Sequence, residues 1–275
     1  MKNILLPIDF SKGAEISLLF GLQLAQKEKA KAIVLHIVSP YGGLTEGVFQ
    51  IYDYAVYLDE KRKALQDYIS KFRTKNNIQK VVVETICESG IAAEEIINYS
   101  IKNDSCLIVL GSRGTGNISK ILLGSTSQSV MSMSKTPLMI IPQGFKFESF
   151  NKKVCFATDF HLKFNKKSLQ LFDQFDFLNK ATIEFVHVHS AKQEVFREKH
   201  AELVALLFGK LKIIIKYILS DQFEESIDAY MQASESGLLV MLPHQRNFLY
   251  YLFFSGHTLA VVKKLHYPVL ILYEG

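Results

Sequence analysis

The sequence has no apolar run long enough to cross a membrane. A bilayer-spanning helix needs about 18–20 consecutive apolar residues, and no such run occurs among the 275 residues. Residues 1–10 (MKNILLPIDF) have too short an apolar stretch for a signal peptide and include Asp9. We therefore expect a soluble chain in the cytoplasm. Because 48% hydrophobic and 21% charged residues are mixed along its length, a disordered protein is not expected.

Cysteine and clustered histidine are scarce. The three cysteines, Cys87, Cys106 and Cys155, stand in apolar strand-like runs without the paired spacings of metal or redox sites, so all three are expected to be buried thiols. His187 and His189 share one face of a predicted strand but have no third ligand spaced nearby, which disfavours a metal site. Another strand histidine, His36, is expected to be a core residue with a hydrogen-bond partner.

A strong excess of one charge is also missing. The net charge is +5, with 32 basic and 27 acidic residues, and the lysines are dispersed rather than gathered into a stripe. A nucleic-acid-binding function is therefore disfavoured.

The sequence instead contains a repeat. Residues 3–11 (NILLPIDFS) match residues 153–161 (KVCFATDFH), so the pair Asp9-Phe10 recurs 150 residues later as Asp159-Phe160. Residues 33–39 match 183–190, and 137–142 match 268–273, in the same order. This pattern predicts a domain at residues 1–145 and a second at residues 150–275.

Each half alternates strand-like and helix-like segments. Apolar runs at residues 3–9, 33–39, 80–88, 106–111 and 137–142 predict strands, as do 154–159, 182–189, 211–219, 238–242 and 269–273. Helical spacing occurs at residues 11–27, behind a Ser11 cap, and at 55–72, 92–101 and 118–133. Uniformly apolar strands are typical of parallel sheets covered on both faces. We therefore predict two tandem doubly wound α/β domains, each with a five-stranded, mainly parallel sheet, whose last strands pair to form an intramolecular pseudo-dimer.

A glycine-rich segment follows the fourth predicted strand. Residues 110–126 (LGSRGTGNISKILLGST) join this strand to a helix, where backbone N–H groups and the helix dipole can bind a phosphate. Glycines let the phosphate approach the backbone, Arg113 can pair with it, and the hydroxyls of Ser112, Ser125 and Thr126 can donate to its oxygens. The segment is alternatively a plain turn of small residues. It contains no G-x-x-x-x-G-K-[ST] motif, and its spacing does not match G-x-G-x-x-G.

The spacing Gly111-x2-Gly114-x9-Gly124-Ser125 resembles that of the nucleotide-binding members of the universal stress protein family, G-x2-G-x9-G-[ST]. The first strand ending at Asp9 and a second strand of Leu35-His36-Ile37 are similar to that family too. The resemblance implies that ATP, with Mg²⁺ as its usual companion, binds the first half. It assigns to the nucleotide Pro7, Ile8, Asp9, Ile37, Gly90, Gly111, Ser112, Arg113, Gly114, Gly124, Ser125 and Thr126. Asp9 could alternatively serve only as a helix cap.

The corresponding loop of the second half has lost this chemistry. Pro243 and Arg246 stand where the first half has Gly111 and Gly114, and Gly256-His257 replaces Gly124-Ser125. Proline removes an N–H and arginine adds bulk at the point of phosphate contact. We expect one nucleotide site per chain, and we expect residues 248–254 (FLYYLFF) to pack against a domain or another subunit, which makes a homodimer reasonable.

A nucleotide-binding regulator of the stress response, acting on an unknown protein partner, is therefore the first hypothesis. No nucleophile or general base is coupled to the glycine-rich loop, so no catalytic residue is assigned and an enzyme is not expected. Slow ATP hydrolysis or autophosphorylation at the same loop, and a nucleotide-free interaction scaffold, remain as alternatives.

Overall fold

The computed structural model describes residues 2–39, 54–114, 121–122, 124–150, 153–160, 162–192, 194–242 and 267–274. The elements of the first half are β1 (Asn3–Pro7), α1 (Lys12–Lys27), β2 (Lys31–Val38), α2 (Tyr54–Lys75), β3 (Val83–Ser89), α3 (Ala92–Lys102), β4 (Leu107–Gly111), β5 (Arg113–Gly114), β6 (Ile121–Leu122), α4 (Ser125–Met133) and β7 (Leu138–Ile141). After a 3₁₀ turn at Phe147–Ser149, the second half contains β8 (Lys153–Ala157), α5 (Lys166–Gln174), α6 (Asp176–Asn179), β9 (Thr182–His189), α7 (Arg197–Phe208), β10 (Lys212–Leu219), α8 (Phe223–Ser234), β11 (Leu238–Met241) and β12 (Val269–Ile271).

Ten of these strands form one sheet. Their order is β10-β9-β8-β11-β12-β7-β4-β1-β2-β3, so each half has the same internal order. All neighbours within each half are parallel, whereas β7 and β12 pair antiparallel, with Met139 opposite Leu270. The predicted α/β fold and the predicted pairing of the two last strands are confirmed. The division at residues 145–150 stays a prediction.

Both faces of the sheet are covered by helices. One buried cluster combines strand residues such as Leu6 with Leu18 of α1 and Leu65 of α2, and continues to Phe172 and Phe208 in the second half. The other cluster joins the opposite strand face to helices α3, α4 and α8. Because successive strand side chains point to opposite faces, a strand buried on both must be apolar throughout, which explains the continuous apolar runs of the sequence.

The repeated Asp-Phe pairs have a structural role. Phe10 and Phe160 both adopt a left-handed backbone, with φ of 59° and 65°. In each half the Nδ1 of a strand histidine lies at hydrogen-bond distance from a carbonyl oxygen just after the first strand, His36 to Ile8 at 2.8 Å and His187 to Thr158 at 2.9 Å. The prediction that His36 has a hydrogen-bond partner is therefore confirmed. The same turn is built twice.

Two expectations about local structure are wrong. The helix predicted at residues 118–133 begins only at Ser125, while Ile121–Leu122 pairs with Arg113–Gly114 as a short antiparallel ribbon. The spacing of Ile121 and Leu122 from later apolar residues fits a helix, but the helix begins only after Gly124, which is its N-cap. Cys106 is only half buried and lines a cavity, unlike Cys87 and Cys155, because it stands one residue before β4 begins.

A buried carboxylate joins the two halves. Glu28, at the C-terminal end of α1, is 3% exposed and accepts hydrogen bonds from the backbone N–H groups of Asp176 at 2.7 Å and Phe177 at 3.0 Å. Lys2 lies 3.3 Å from the same carboxylate. The Glu28 carboxylate thus satisfies N–H groups at the start of α6, where a negative charge is favoured by the helix dipole.

Candidate functional site

The carboxyl ends of β1, β2 and β4 surround a cleft in the first half. The N-terminal turns of α1 and α4 form two of its walls, and the start of α3 forms a third. This is the edge of a parallel sheet at which ligands of doubly wound folds bind. Nine of the predicted nucleotide residues line the cleft, namely Pro7, Ile8, Asp9, Ile37, Gly111, Ser112, Gly124, Ser125 and Thr126. The structure therefore brings together residues that are more than a hundred positions apart.

Asp9 is exposed at the mouth of the cleft and shapes the turn into α1. Its Oδ1 accepts a hydrogen bond from the backbone N–H of Ser11 at 3.0 Å. Ser11, as predicted, is the N-cap of α1, and its hydroxyl accepts from the Ala14 N–H at 3.2 Å. Asp9 is therefore not the cap of this helix; it fixes the turn beside the cleft.

Packing requires a glycine at position 111, in addition to its place in the motif. A Cβ placed on it would lie 2.4 Å from the carbonyl oxygen of Gly13 in the first turn of α1. A Cβ on Gly13 would in turn lie 3.2 Å from the Ser112 carbonyl oxygen. The floor of the cleft is thus a backbone-to-backbone contact that leaves no room for a side chain.

The N-terminus of α4 offers donors to an anion. Its N-cap Gly124 has φ −61° and ψ 151° and provides no side-chain cap. The first N–H groups of a helix have no partner within the helix, so the amides of Ser125 and Thr126, which line the cleft, remain available to an anion. The Ser127 hydroxyl donates to the Gly111 carbonyl oxygen at 3.3 Å and holds the start of α4 against β4.

Ser112 carries an unpartnered hydroxyl. The residue is 1% exposed, it lines the cleft, and its Oγ has no hydrogen-bond partner among the described residues. A buried hydroxyl without a partner costs about 1–3 kcal/mol. Such a group is expected where a ligand atom completes the hydrogen bond.

Three predicted site residues are not among those lining the cleft. Gly90 donates its N–H to the Val38 carbonyl oxygen at 3.1 Å, and its φ of 154° and the nearby Glu95 side chain both favour glycine there. The backbone of Arg113 and Gly114 forms β5, and the Arg113 side chain lies outside the described part of the structure. The second-half loop, residues 243–266, is also outside the described residues.

Sequence reasoning missed half of the cleft lining. The additional residues are Ser11, Gly13, Ala14, Ser17, Leu35, Ala92, Ile96, Leu110 and Ser127. Gly13 gave a usable signal, since glycine in the first turn of a helix is unfavourable unless another backbone approaches it closely. The others are small or apolar helix and strand residues that look like ordinary core positions.

Burial raises the pKa of two groups near the first-half site, Tyr68 and Cys87. Tyr68 donates to Glu15 at 2.8 Å and packs edge-on against Phe10, and burial, followed by the hydrogen bond to Glu15, raises the pKa of its hydroxyl. Burial likewise raises the pKa of the Cys87 thiol. Within the described part of the chain, no group of three or more His, Cys, Asp and Glu residues could hold a metal ion.

Comparisons with known proteins agree with this architecture. The model of the universal stress protein family matches residues 1–142. The chain is 29% identical over 147 residues to universal stress protein YxiE of Bacillus subtilis, covering 50% of this chain and 97% of that protein. It is 26% identical over 155 residues to universal stress protein MJ0577 of Methanocaldococcus jannaschii, covering 51% of this chain and 94% of that protein.

A solved structure extends the likeness in fold to the second half. A universal stress protein from Archaeoglobus fulgidus superposes with a TM-score of 0.75 at 19% identity, covering 99% of this chain and 98% of that one. Among the helices in the described residues, none is both long and apolar enough to span a bilayer. Because the family model covers more than half of the chain, this protein belongs to the universal stress protein family.

Proposed function

We propose that this chain is an ATP-binding regulatory protein of the stress response, with one nucleotide site in its first half. The observation that carries the proposal is the unpartnered Ser112 hydroxyl, buried in a cleft whose wall is the N-terminus of α4. The G-x2-G-x9-G-S spacing places Gly111 and Gly124 at the floor and wall of this same cleft. A buried donor, helix amides and an absence of Cβ atoms together suit phosphate oxygens.

The remaining lining suits the nucleoside. Ile8 and Ile37 are apolar residues at the ends of adjacent strands, and Asp9 stands beside them at the exposed mouth. In the proposed complex the adenine lies against these residues and the phosphates extend toward Ser125 and Thr126. Mg²⁺ would accompany the phosphates as a counter-charge.

Regulation rather than turnover is part of the proposal. The cleft lining contains no histidine, lysine or cysteine among the described residues, and its one carboxylate, on Asp9, already accepts a bond from Ser11. General base catalysis needs a side chain with a pKa near the working pH, placed at the reacting atom. We propose that bound ATP acts in the cytoplasm by changing how the chain associates with a protein partner or a second copy.

Isothermal titration with ATP tests the proposal, with Ser112→Ala as the variant and Ser132→Ala as its control. Ser112→Ala removes a buried, unpartnered hydroxyl and should not destabilise the free protein, and Ser132 is an exposed serine of α4 that does not line the cleft. The wild type should bind one ATP per chain in the cleft, Ser112→Ala should weaken this binding by about tenfold, and Ser132→Ala should leave it unchanged. Gly124→Val should abolish binding, because valine tolerates the extended backbone of residue 124 but fills the space of the phosphates.

Three results would count against the proposal. If the wild type does not bind ATP, the proposal is rejected. If Ser112→Ala and the wild type bind ATP with equal affinity, the Ser112 hydroxyl does not contact the nucleotide and no longer supports the proposal. A second ATP molecule per chain that binds as tightly as the first contradicts the loss of the nucleotide site in the second half. Phosphate release that depends on Ser125 would instead establish slow hydrolysis at this loop.

A further inference from the structure

A second cavity lies at the opposite end of the sheet, between the two halves. It has a volume of about 440 Å³ and opens at the amino ends of β1 and β4, where Lys2 and Cys106 stand, while α5 of the second half forms its other wall. The candidate nucleotide cleft lies at the carboxyl ends of the same two strands. Strands of this length separate the two sites by roughly 15 Å.

Three lysines line this cavity. Lys2 and Lys29 come from the first half and Lys167 from the second, and the accompanying acidic residue is Asp104. For the Lys29 ammonium, no ion pair is present among the described residues. The cavity therefore presents more positive than negative charge at its lining.

Lys29 and Lys167 are the lysines able to bind an anion. Lys2 adds positive charge to the lining, but its ammonium already pairs with the buried Glu28 carboxylate at 3.3 Å and donates to the Gln174 carbonyl oxygen at 2.6 Å. Lys167 lies 3.3 Å from Asp104, whose side chain is 90% exposed. Because water surrounds the Asp104 carboxylate, this pair is weak, and a phosphate with more than one negative charge can displace it.

Ser105 supplies a second and independent indication of a ligand. The residue is 0% exposed, it lines the cavity, and its Oγ has no hydrogen-bond partner within the described structure. Its carbonyl oxygen accepts from Lys167 at 3.1 Å, so the lysine and the hydroxyl belong to the same part of the lining. The arrangement parallels Ser112 in the other cleft.

We propose that this cavity is a second anion site, which binds a small molecule carrying phosphate groups. Ammonium groups act as compact point charges with rotatable donors, which suits phosphate oxygens approached from several sides, and a buried hydroxyl adds one fixed donor. The volume is in the range of small-molecule sites. Since Lys29 and Lys167 belong to different halves, the bound anion bridges them.

Alkylation of Cys106 measures occupancy of this cavity directly. Cys87 is 2% and Cys155 0% exposed, so neutral iodoacetamide should modify Cys106 first, and peptide mass spectrometry identifies the site. Inorganic pyrophosphate is the probe. Millimolar pyrophosphate should slow alkylation of Cys106, whereas sodium chloride of equal ionic strength should not. Protection of this thiol does not depend on the nucleotide cleft, so the result stands whether or not ATP binds there.

Charge-matched variants locate the binding groups. Lys29→Gln and Ser105→Ala should each raise the pyrophosphate concentration for half-protection by about tenfold. Lys166→Gln is the control, because it removes the same charge from an exposed residue next to Lys167 that does not line the cavity. Ser112→Ala should also leave protection unchanged. Alkylation unaffected by pyrophosphate, protection reproduced by chloride, or equal effects of Lys29→Gln and Lys166→Gln would each overturn the proposal.

Discussion

Two glycines distant in sequence meet under the candidate nucleotide cleft. Gly111 ends β4 and Gly13 lies in the first turn of α1, and their backbones approach so closely that a Cβ on Gly111 would lie 2.4 Å from the Gly13 carbonyl oxygen. Gly124, the third glycine of this cleft, has ordinary extended dihedral angles. One glycine of the motif is therefore required by the packing of the fold, and another has no such requirement in its backbone.

This difference predicts unequal effects on stability. Gly111→Ala should lower the free energy of unfolding by about 2 kcal/mol, because the added methyl group must displace the first turn of α1. Gly124→Ala should lower it by less than about 1 kcal/mol, since the residue keeps its backbone and had no capping side chain to lose. Urea unfolding without nucleotide measures both. Equal losses would mean that the contact of Gly111 with Gly13 relaxes freely.

At the residue scale, the spacing of Gly111, Gly124 and Ser125 predicted a shared site, and the three residues line one cleft because the turn after a parallel strand returns to the same sheet edge. Their contact with a nucleotide stays a prediction. The unpartnered state of Ser112 and the exposure of Cys106 could not be predicted, since both depend on neighbours far away in the chain.

At the scale of elements, the N-cap side chains of α1 and α5, the first long helices of the two halves, make different contacts. Ser11 caps α1 with a hydroxyl that accepts from Ala14 within its own turn. Asn165 caps α5 with Oδ1, which accepts from Ser168 at 2.8 Å, while its Nδ2 donates to the Lys135 carbonyl oxygen of the first half at 2.9 Å. The second cap is therefore also a contact between the halves.

The two caps should consequently differ in their contribution to stability. Ser11→Ala should cost about 1 kcal/mol of unfolding free energy, the usual value for a lost cap. Asn165→Ala should cost about 2 kcal/mol, because the hydrogen bond to Lys135 is lost as well. Ser132→Ala, an exposed serine in α4, serves as control and should change stability by less than about 0.5 kcal/mol. Chemical unfolding followed by circular dichroism ranks the three, and an Asn165 effect no larger than that of Ser11 would refute the added contact.

Element boundaries were predicted well where burial dictates the pattern. The apolar runs located β9 and β11 almost to the residue, because strands buried on both faces permit few polar positions. The prediction was wrong for the segment before α4, because Ile121 and Leu122 fit a helical period while their backbone pairs with Arg113–Gly114. Spacing alone cannot distinguish a short ribbon from a helical turn.

At the scale of the whole molecule, Glu28 connects the halves through a carboxylate that solvent does not reach. Glu28→Ala should lower the unfolding free energy by about 3 kcal/mol, because Lys2 and the N–H groups of Asp176 and Phe177 lose their buried partner. Glu84→Ala is the control, since the ion pair of Glu84 with Lys31 is partly exposed and should contribute about 0–1 kcal/mol. Thermal and urea unfolding of both variants provide the comparison. If the two cost the same, the buried contact does not stabilise the junction.

The antiparallel pairing of β7 with β12 restricts how this chain can transmit a signal. Three residue pairs join these strands in the middle of a ten-stranded sheet, so rotating the halves apart would break hydrogen bonds within the core. Hinge closure uses a few flexible residues between bodies that separate easily. We therefore expect a bound ligand to change the surface close to its site while the ten-stranded sheet stays rigid. The two halves should not move apart when the ligand binds.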